Sequence, residues 1–254
     1  MVLEGRGAKA VVMIHGWPDT YRLWDPQVAA LQDRYRCLRF TLPGFDAAQP
    51  GRAYSLDEVV ETIRRVVERA CPGLKVTLLL HDWGCFYGYQ FAARYPAMVE
   101  RVVGVDVGDG GSRRHRAELS ARQMLGIIAY QVWLALAWRI GGRVGDAMAR
   151  RLARAFRCPT EQASISWKMG YPYAVRWLGV AGGVRGLRAF EPHCPMLFLY
   201  GEKKPFMFHS RAWLERLTAQ PRNRVVAFKT GHWIMVQDPE GFNAAVRDWL
   251  AKTD

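Results

Sequence analysis

One stretch constrains this chain more than any other: Val76-Thr77-Leu78-Leu79-Leu80-His81-Asp82-Trp83-Gly84-Cys85-Phe86-Tyr87-Gly88-Tyr89. An apolar run of strand length stops at His81-Asp82-Trp83-Gly84. Apolar residues then return at helical spacing, at Phe86, Tyr89, Phe91 and Ala92, until Arg94-Tyr95-Pro96. The pattern reads as strand, sharp turn and helix, with one carboxylate at the apex. A side chain held there is pushed out of the sheet and faces a helix N-terminus, where backbone N–H groups and the helix dipole stabilise negative charge. Asp82 is therefore the candidate nucleophile; the plainer alternative is a helix N-cap, a common role for Asp.

The rest of the chain alternates strands and helices around this point. A strand over 8–14, preceded by only about seven residues, runs into His15-Gly16-Trp17-Pro18-Asp19. The spacing of Tyr21, Trp24, Val28 and Leu31 predicts a helix, and a strand over 37–42 ends in Pro43-Gly44-Phe45-Asp46. Ser55 and Glu58 form a capping box for a helix that Pro72-Gly73 stops. A strand over 101–107 leads to Gly108-Asp109-Gly110-Gly111. From Ser112 to Arg188 strand signals vanish, helical ones dominate, and Trp and Tyr are frequent. Alternation then resumes with strands at 195–200 and 225–228 and helices at 210–217 and 239–250, and Gly231-His232-Trp233 follows the last strand. This order implies an α/β fold with a mostly parallel sheet flanked by helices and functional loops at the carboxyl ends of its strands. A sheet that starts so close to the N-terminus leaves an edge to be covered in some other way.

Composition narrows the function classes. The 254 residues are 50% hydrophobic, enough for one large domain carrying an insertion. The net charge is +13, but the cations read as scattered; the tightest group, Arg113, Arg114 and Arg116, has no aromatic-basic nucleic-acid module beside it. A solvated basic surface is the expectation, with at most weak attraction to anionic surfaces and no nucleic-acid partner. The five cysteines, Cys37, Cys71, Cys85, Cys158 and Cys194, are far apart and odd in number, which indicates neither a disulfide framework nor a zinc site and fits a reducing, cytoplasmic setting. The most apolar window, 125–140, contains Gln131 and is shorter than the ~20 residues that cross a bilayer. It reads as a buried or cleft-facing helix, with a membrane-surface role as a secondary possibility and no stable insertion.

The three motifs His15-Gly16-Trp17-Pro18, His81-Asp82-Trp83-Gly84 and Gly231-His232-Trp233, in that order, resemble the oxyanion loop, nucleophile elbow and late base of α/β-hydrolases. The variant resembled is that of epoxide hydrolases and haloalkane dehalogenases, in which the nucleophile is Asp. The resemblance covers nearly all of the chain except 112–188, the position of that family's helical cap. It implies a core of residues 1–111 and 189–254, a lid at 112–188, a small apolar substrate and no metal or organic cofactor.

A carboxylate nucleophile attacks a saturated carbon bearing a leaving group and leaves an alkyl ester. A second group must then activate water, and by resemblance this is His232. The N–H groups of Trp17 and Trp83 are the expected oxyanion donors, each worth about 3 kcal/mol in good geometry, with the His15 side chain only supporting the loop. The acid that orients the base departs from the commoner pattern, because the matching position is Lys204 and an ammonium cannot hold an imidazole tautomer. Some dehalogenases place the acid after the next strand, where Asp109 falls. Asp109 is taken as the acid, with Asp106, read as lying inside an apolar strand, and Glu202 as weaker candidates; Asp109 as a mere turn former stays open. Leu80 stands where the elbow usually has a small residue, and a slightly wider turn is expected. Tyr130, Tyr171 and Tyr173 are candidate proton donors to an alkoxide, while Trp17 and Trp83 could hold a halide. The pattern resembles an epoxide hydrolase more than a haloalkane or haloacid dehalogenase. A non-catalytic binding protein stays open through Lys204, and predicts no carboxylate beside His232.

Overall fold

Seven strands form one sheet in the order β1-β3-β2-β4-β5-β6-β7 in a computed structural model, which describes residues 1–253. The strands are β1 (Val2–Glu4), β2 (Lys9–Ile14), β3 (Tyr35–Arg39), β4 (Val76–His81), β5 (Val99–Val105), β6 (Met196–Gly201) and β7 (Arg224–Phe228). All neighbours are parallel except β1, which runs antiparallel to β3, with Leu3 opposite Leu38. The edge left open in the sequence reading is thus taken by three residues that carried no strand signal.

Alternate residues of each central strand enter different apolar layers, as the two-residue period of a pleated strand requires. Val12, Ile14, Leu78, Leu80, Val102 and Phe198 face one layer. Val11, Met13, Leu79, Val103 and Leu199 face the other. The first layer is closed by helices α2 (Leu56–Ala70), α3 (Trp83–Arg94) and α8 (Arg211–Thr218), and the second by α1 (Asp25–Leu31) and α9 (Pro239–Thr253). A sheet covered on both faces is why its strands read as unbroken apolar runs.

Local chemistry sets the helix ends. In α2 the Ser55 side chain accepts from the Glu58 N–H and the Glu58 carboxylate accepts from the Ser55 N–H, the reciprocal pair expected from the sequence. The helix expected over 21–31 is instead one turn of 3-10 helix, Tyr21–Trp24, followed by α1, with Pro26 in the first turn of the new helix. Between β5 and β6 there is no strand among the described residues. This segment holds α4 (Arg113–Glu118), α5 (Ala121–Ile140), α6 (Gly142–Ala155) and α7 (Tyr171–Leu178). No helix among the described residues is long and apolar enough to cross a membrane.

The turn between β4 and α3 depends on three close approaches. Asp82 has φ 53°, a left-handed conformation that costs a non-glycine residue on the order of 1–3 kcal/mol. Gly84 lies so near β2 that a Cβ there would stand 2.2 Å from the Ile14 carbonyl oxygen, and a Cβ on Gly16 would stand 2.2 Å from Asp82 Oδ1. The bulk of Leu80 is taken up by Gly88, one helical turn past the elbow, where a Cβ would meet Leu80 Cδ2 at 2.4 Å. Replacing Gly84 by Ala should therefore cost about 2–3 kcal/mol, seen as a lower urea midpoint with an unchanged denaturant slope.

Candidate active site

Asp82 and His232 lie 150 positions apart in the sequence and meet at the carboxyl edge of the sheet. Asp82 closes β4, and His232 lies in the loop after β7. His232 Nε2 stands 3.6 Å from Asp82 Oδ2, a charge contact longer than a hydrogen bond. Both side chains keep some access, 15% for His232 and 16% for Asp82. The Trp17 N–H donates to Asp82 Oδ1 at 2.7 Å. Trp83, whose N–H was the other expected donor, opens α3 directly behind Asp82.

The carboxylate beside His232 is Asp106, and this corrects the expectation that Asp109 would hold that place. His232 Nδ1 is 2.5 Å from Asp106 Oδ2. The reason is where β5 ends. The strand stops at Val105, and Asp106, expected inside it, turns at φ 69° and throws its carboxylate across to the end of β6. There Oδ1 accepts from the Gly201 N–H at 3.0 Å and from the Lys204 ammonium. Asp109 lies three residues further on and is used elsewhere. Its Oδ1 accepts from the Ser210 N–H at 2.7 Å, and its Oδ2 from the hydroxyls of Ser112 and Ser210, both at 2.8 Å. That fastens the loop at the start of α8. Glu202 is exposed at the surface.

Lys204 occupies the place where an acid was looked for, and it serves as that acid's counter-ion. Its side chain is only 6% exposed and forms an ion pair with the fully buried Asp106. Removing both charges from water is costly unless they meet each other, and here they do.

Burial and charge set the protonation states. Burial works against the His232 cation, but Asp106 and Asp82 outweigh it and raise its pKa to about 9. Burial would push Asp106 up, yet the Lys204 and His232 charges hold its carboxyl far below the usual range. Burial likewise opposes ionisation of Asp82, and the neighbouring His232 and the Trp17 N–H bring it below the ordinary value. At neutral pH the group is a buried row of alternating charges. His15 and His81 are different: burial lowers them to about 4 and about 3, so both are neutral. The Leu42 N–H donates to His15 Nε2 at 3.0 Å, which places the loop after β2 against the loop after β3.

Two cavities meet at Asp82. One of about 730 Å³ is lined by Trp17, Asp82, Tyr130, Tyr173, Phe208 and His232 among others, with Arg157, Lys203 and Lys229 in its wall. The other, about 330 Å³, shares Asp82, Tyr130, Tyr173 and Phe208 and adds Trp83, Phe86 and apolar residues of α5. Tyr130 and Tyr173 thus face both cavities, while Tyr171 lies outside them. It is fully buried against Phe45 and Tyr54, with the Tyr87 hydroxyl 3.5 Å from its own. Two residues apart on α7, Tyr171 and Tyr173 point about 200° apart, so only one can face Asp82.

Three groups went unread in the sequence. His81 Nε2 is 3.1 Å from the His232 carbonyl oxygen, which ties the loop after β7 to the end of β4. Buried Asp19 accepts from the Trp233 indole N–H at 2.9 Å and from the Thr160 hydroxyl. Phe208 packs edge-on to the His232 ring. His81 and Asp19 sit inside two of the recognised motifs, and that position was the available signal; nothing local marks Phe208.

Residues 11–245 match the alpha/beta hydrolase family, and the chain belongs to that family. Among curated relatives, epoxide hydrolase 1 of Caenorhabditis elegans is 33% identical over 119 residues, 44% of this chain and 28% of that protein. A cis-3-alkyl-4-alkyloxetan-2-one decarboxylase of Xanthomonas campestris is 36% identical over 104 residues, 37% of this chain and 35% of that one. The matched stretches thus span only about a third or less of these relatives' length. Among solved structures, a Bacillus megaterium epoxide hydrolase in complex with an inhibitor superposes with TM-score 0.74 at 20% identity, covering 98% of this chain and 95% of that one. A haloalkane dehalogenase loop variant from Bradyrhizobium elkanii does so with TM-score 0.66 at 18% identity, covering 99% and 92%. At such identities the likeness to these structures is one of fold.

The raised pKa of His232 has a stability consequence. A group whose folded value, about 9, exceeds its unfolded 6.5 stabilises the fold fully below pH 6.5 and loses that contribution as pH rises through 9. Urea unfolding from pH 6.5 to 9 should show declining stability, with the decline lost in His232→Gln. Removing the Lys204 charge leaves Asp106 facing His232 alone, so Lys204→Met should move the upper end of the decline to higher pH, while Lys204→Arg should leave it in place.

Proposed function

We propose that this hydrolase-family chain opens an apolar epoxide to a vicinal diol through an ester on Asp82. The reading assigns residues 1–111 and 189–254 to the core and 112–188 to a cap. Asp82 attacks an epoxide carbon, the carbon–oxygen bond breaks, and Tyr130 or Tyr173 protonates the alkoxide; the resulting phenolate regains a proton at the expense of the His232 imidazolium, which leaves that ring neutral. Water then attacks the ester carbonyl carbon while His232 takes a proton from it and Asp106 orients the ring. The oxyanion accepts from the N–H groups of Trp17 and Trp83, and the diol departs with Asp82 restored.

One observation carries this reading: His232 lies between Asp106 and Asp82, whose own Oδ1 already accepts from Trp17. The charges support a timed base. In the free protein His232 is held protonated by two carboxylates. Esterification removes the charge of Asp82, which lowers the pKa of the imidazole when a base is needed. The carboxylate at His232 also weighs against a binding protein without turnover. The C. elegans relative, an epoxide hydrolase by name, points the same way.

Dehalogenation on the same nucleophile is the second reading. It is favoured by the Trp17 indole N–H, which is buried without a hydrogen-bond partner among the described residues on a side chain that lines the larger cavity. That N–H could serve a departing halide.

A single turnover of styrene oxide in water enriched in heavy oxygen should label the protein at Asp82 and leave the diol unlabelled. Label in the first-turnover diol would overturn the ester mechanism. His232→Gln should accumulate the adduct as added mass on the intact protein, and Asp82→Asn should form none. Halide release from a short haloalkane, with no diol from styrene oxide, would select the second reading.

A further inference from the structure

The cations of this chain are not scattered. Residues 112–188 hold fourteen of the 36 Lys and Arg but three of the 23 Asp and Glu, a net +11 of the chain's +13. The same segment exposes ten of the thirteen large apolar side chains that face solvent among the described residues. High positive charge and exposed apolar side chains therefore share one part of the surface.

Their arrangement on α5 is regular. Its solvent side carries Leu125 (68% exposed), Ala129, Trp133 (37%), Leu136 (44%) and Ile140 (56%), at spacings of three and four residues that put them in one row. Arg122 and Arg139 lie exposed near the two ends of this row. Trp133 is held in place by its indole N–H, which donates to the Met148 carbonyl on α6 at 3.0 Å. Alongside, α6 exposes Arg143, Arg151 and Arg154. On the other flank the Trp177 indole N–H donates to Gln131 Oε1 at 3.0 Å, and Trp177, Arg176 and Val184 form part of the smaller cavity that reaches Asp82.

We propose that this face of the helical segment docks on an anionic lipid surface. Arginines flanking an apolar row, with tryptophans beside it, are what binds the boundary between charged headgroups and acyl chains. A second copy of the same face would bring two net charges of +11 together, and a nucleic acid would leave the apolar row facing water. The smaller cavity reaches from Trp177 and Val184, both exposed to solvent, to Asp82, and would give an apolar molecule a path from the lipid to Asp82. That last consequence rests on the epoxide reading; the docking itself does not.

The test is co-sedimentation of the full chain with vesicles of phosphatidylcholine alone or mixed with phosphatidylglycerol. We expect binding to the mixed vesicles about tenfold tighter than to the neutral ones, weakening as salt is raised. Leu125→Glu with Leu136→Glu should cut it about tenfold with an unchanged circular dichroism spectrum. Arg143→Glu with Arg151→Glu should abolish the preference for anionic lipid, whereas Leu3→Glu, exposed on β1, should change nothing. Equal affinity for both vesicles, no binding at low salt, or full binding by the Leu125/Leu136 variant would each overturn the proposal. So would sedimentation velocity showing that this variant converts a dimer to monomers. Because binding rather than turnover is read, an inert Asp82 would leave the result unaffected.

Discussion

Four buried or half-buried groups alternate in sign across the carboxyl edge of the sheet: the Lys204 ammonium, the Asp106 carboxylate, the His232 ring and the Asp82 carboxylate. None could be buried alone without a large desolvation cost, and each is stabilised by its neighbours. The loops that carry them, after β4, β5, β6 and β7, are thereby held in register by charge as well as by packing. An ionised Asp82 facing two cavities needs a cation beside it, and His232 supplies that cation.

The backbone makes the row possible. Asp82 and Asp106 both sit at positive φ, immediately past neighbouring parallel strands, so each carboxylate turns away from the strand it follows. Gly16 and Gly84 let the loop after β2 and α3 approach the turn at Asp82 at distances no side chain would tolerate. Leu80, unusually large for its place, is accommodated because the next turn of α3 has a glycine facing it. Strain at Asp82 is thus held by contacts drawn from three separate elements.

Above this rigid edge lies a segment of a different character. It contributes Tyr130 and Tyr173 to the cavities and carries most of the chain's net charge. Its longest helix, α5, is apolar on both its inner and outer sides. Such a helix has no sidedness for a periodicity argument to detect. The window read as buried or cleft-facing is therefore half right: Ile127, Leu134 and Ala135 point inward while Leu125, Leu136 and Ile140 meet solvent.

Local sequence determined a great deal here. Apolar runs, the Ser55–Glu58 capping box and short turn motifs were enough to place six of the seven strands and the turn at Asp82, because each depends on residues adjacent in the chain, whereas the pairing of Asp82 with His232 came only from the family resemblance. The sequence also held the charge asymmetry of 112–188, readable by counting and passed over. Contacts between distant residues were decided only by the folded chain. Whether Asp106 or Asp109 meets His232 turns on where β5 stops, a matter of two residues that apolar patterning cannot resolve. Whether Tyr171 or Tyr173 faces Asp82 turns on the rotation of α7. Lys204 reads as the loss of an acid until its ammonium is seen against a carboxylate 98 positions earlier. Strand and helix propensity act over a few residues, whereas a charge is given its partner by the packing of the whole sheet.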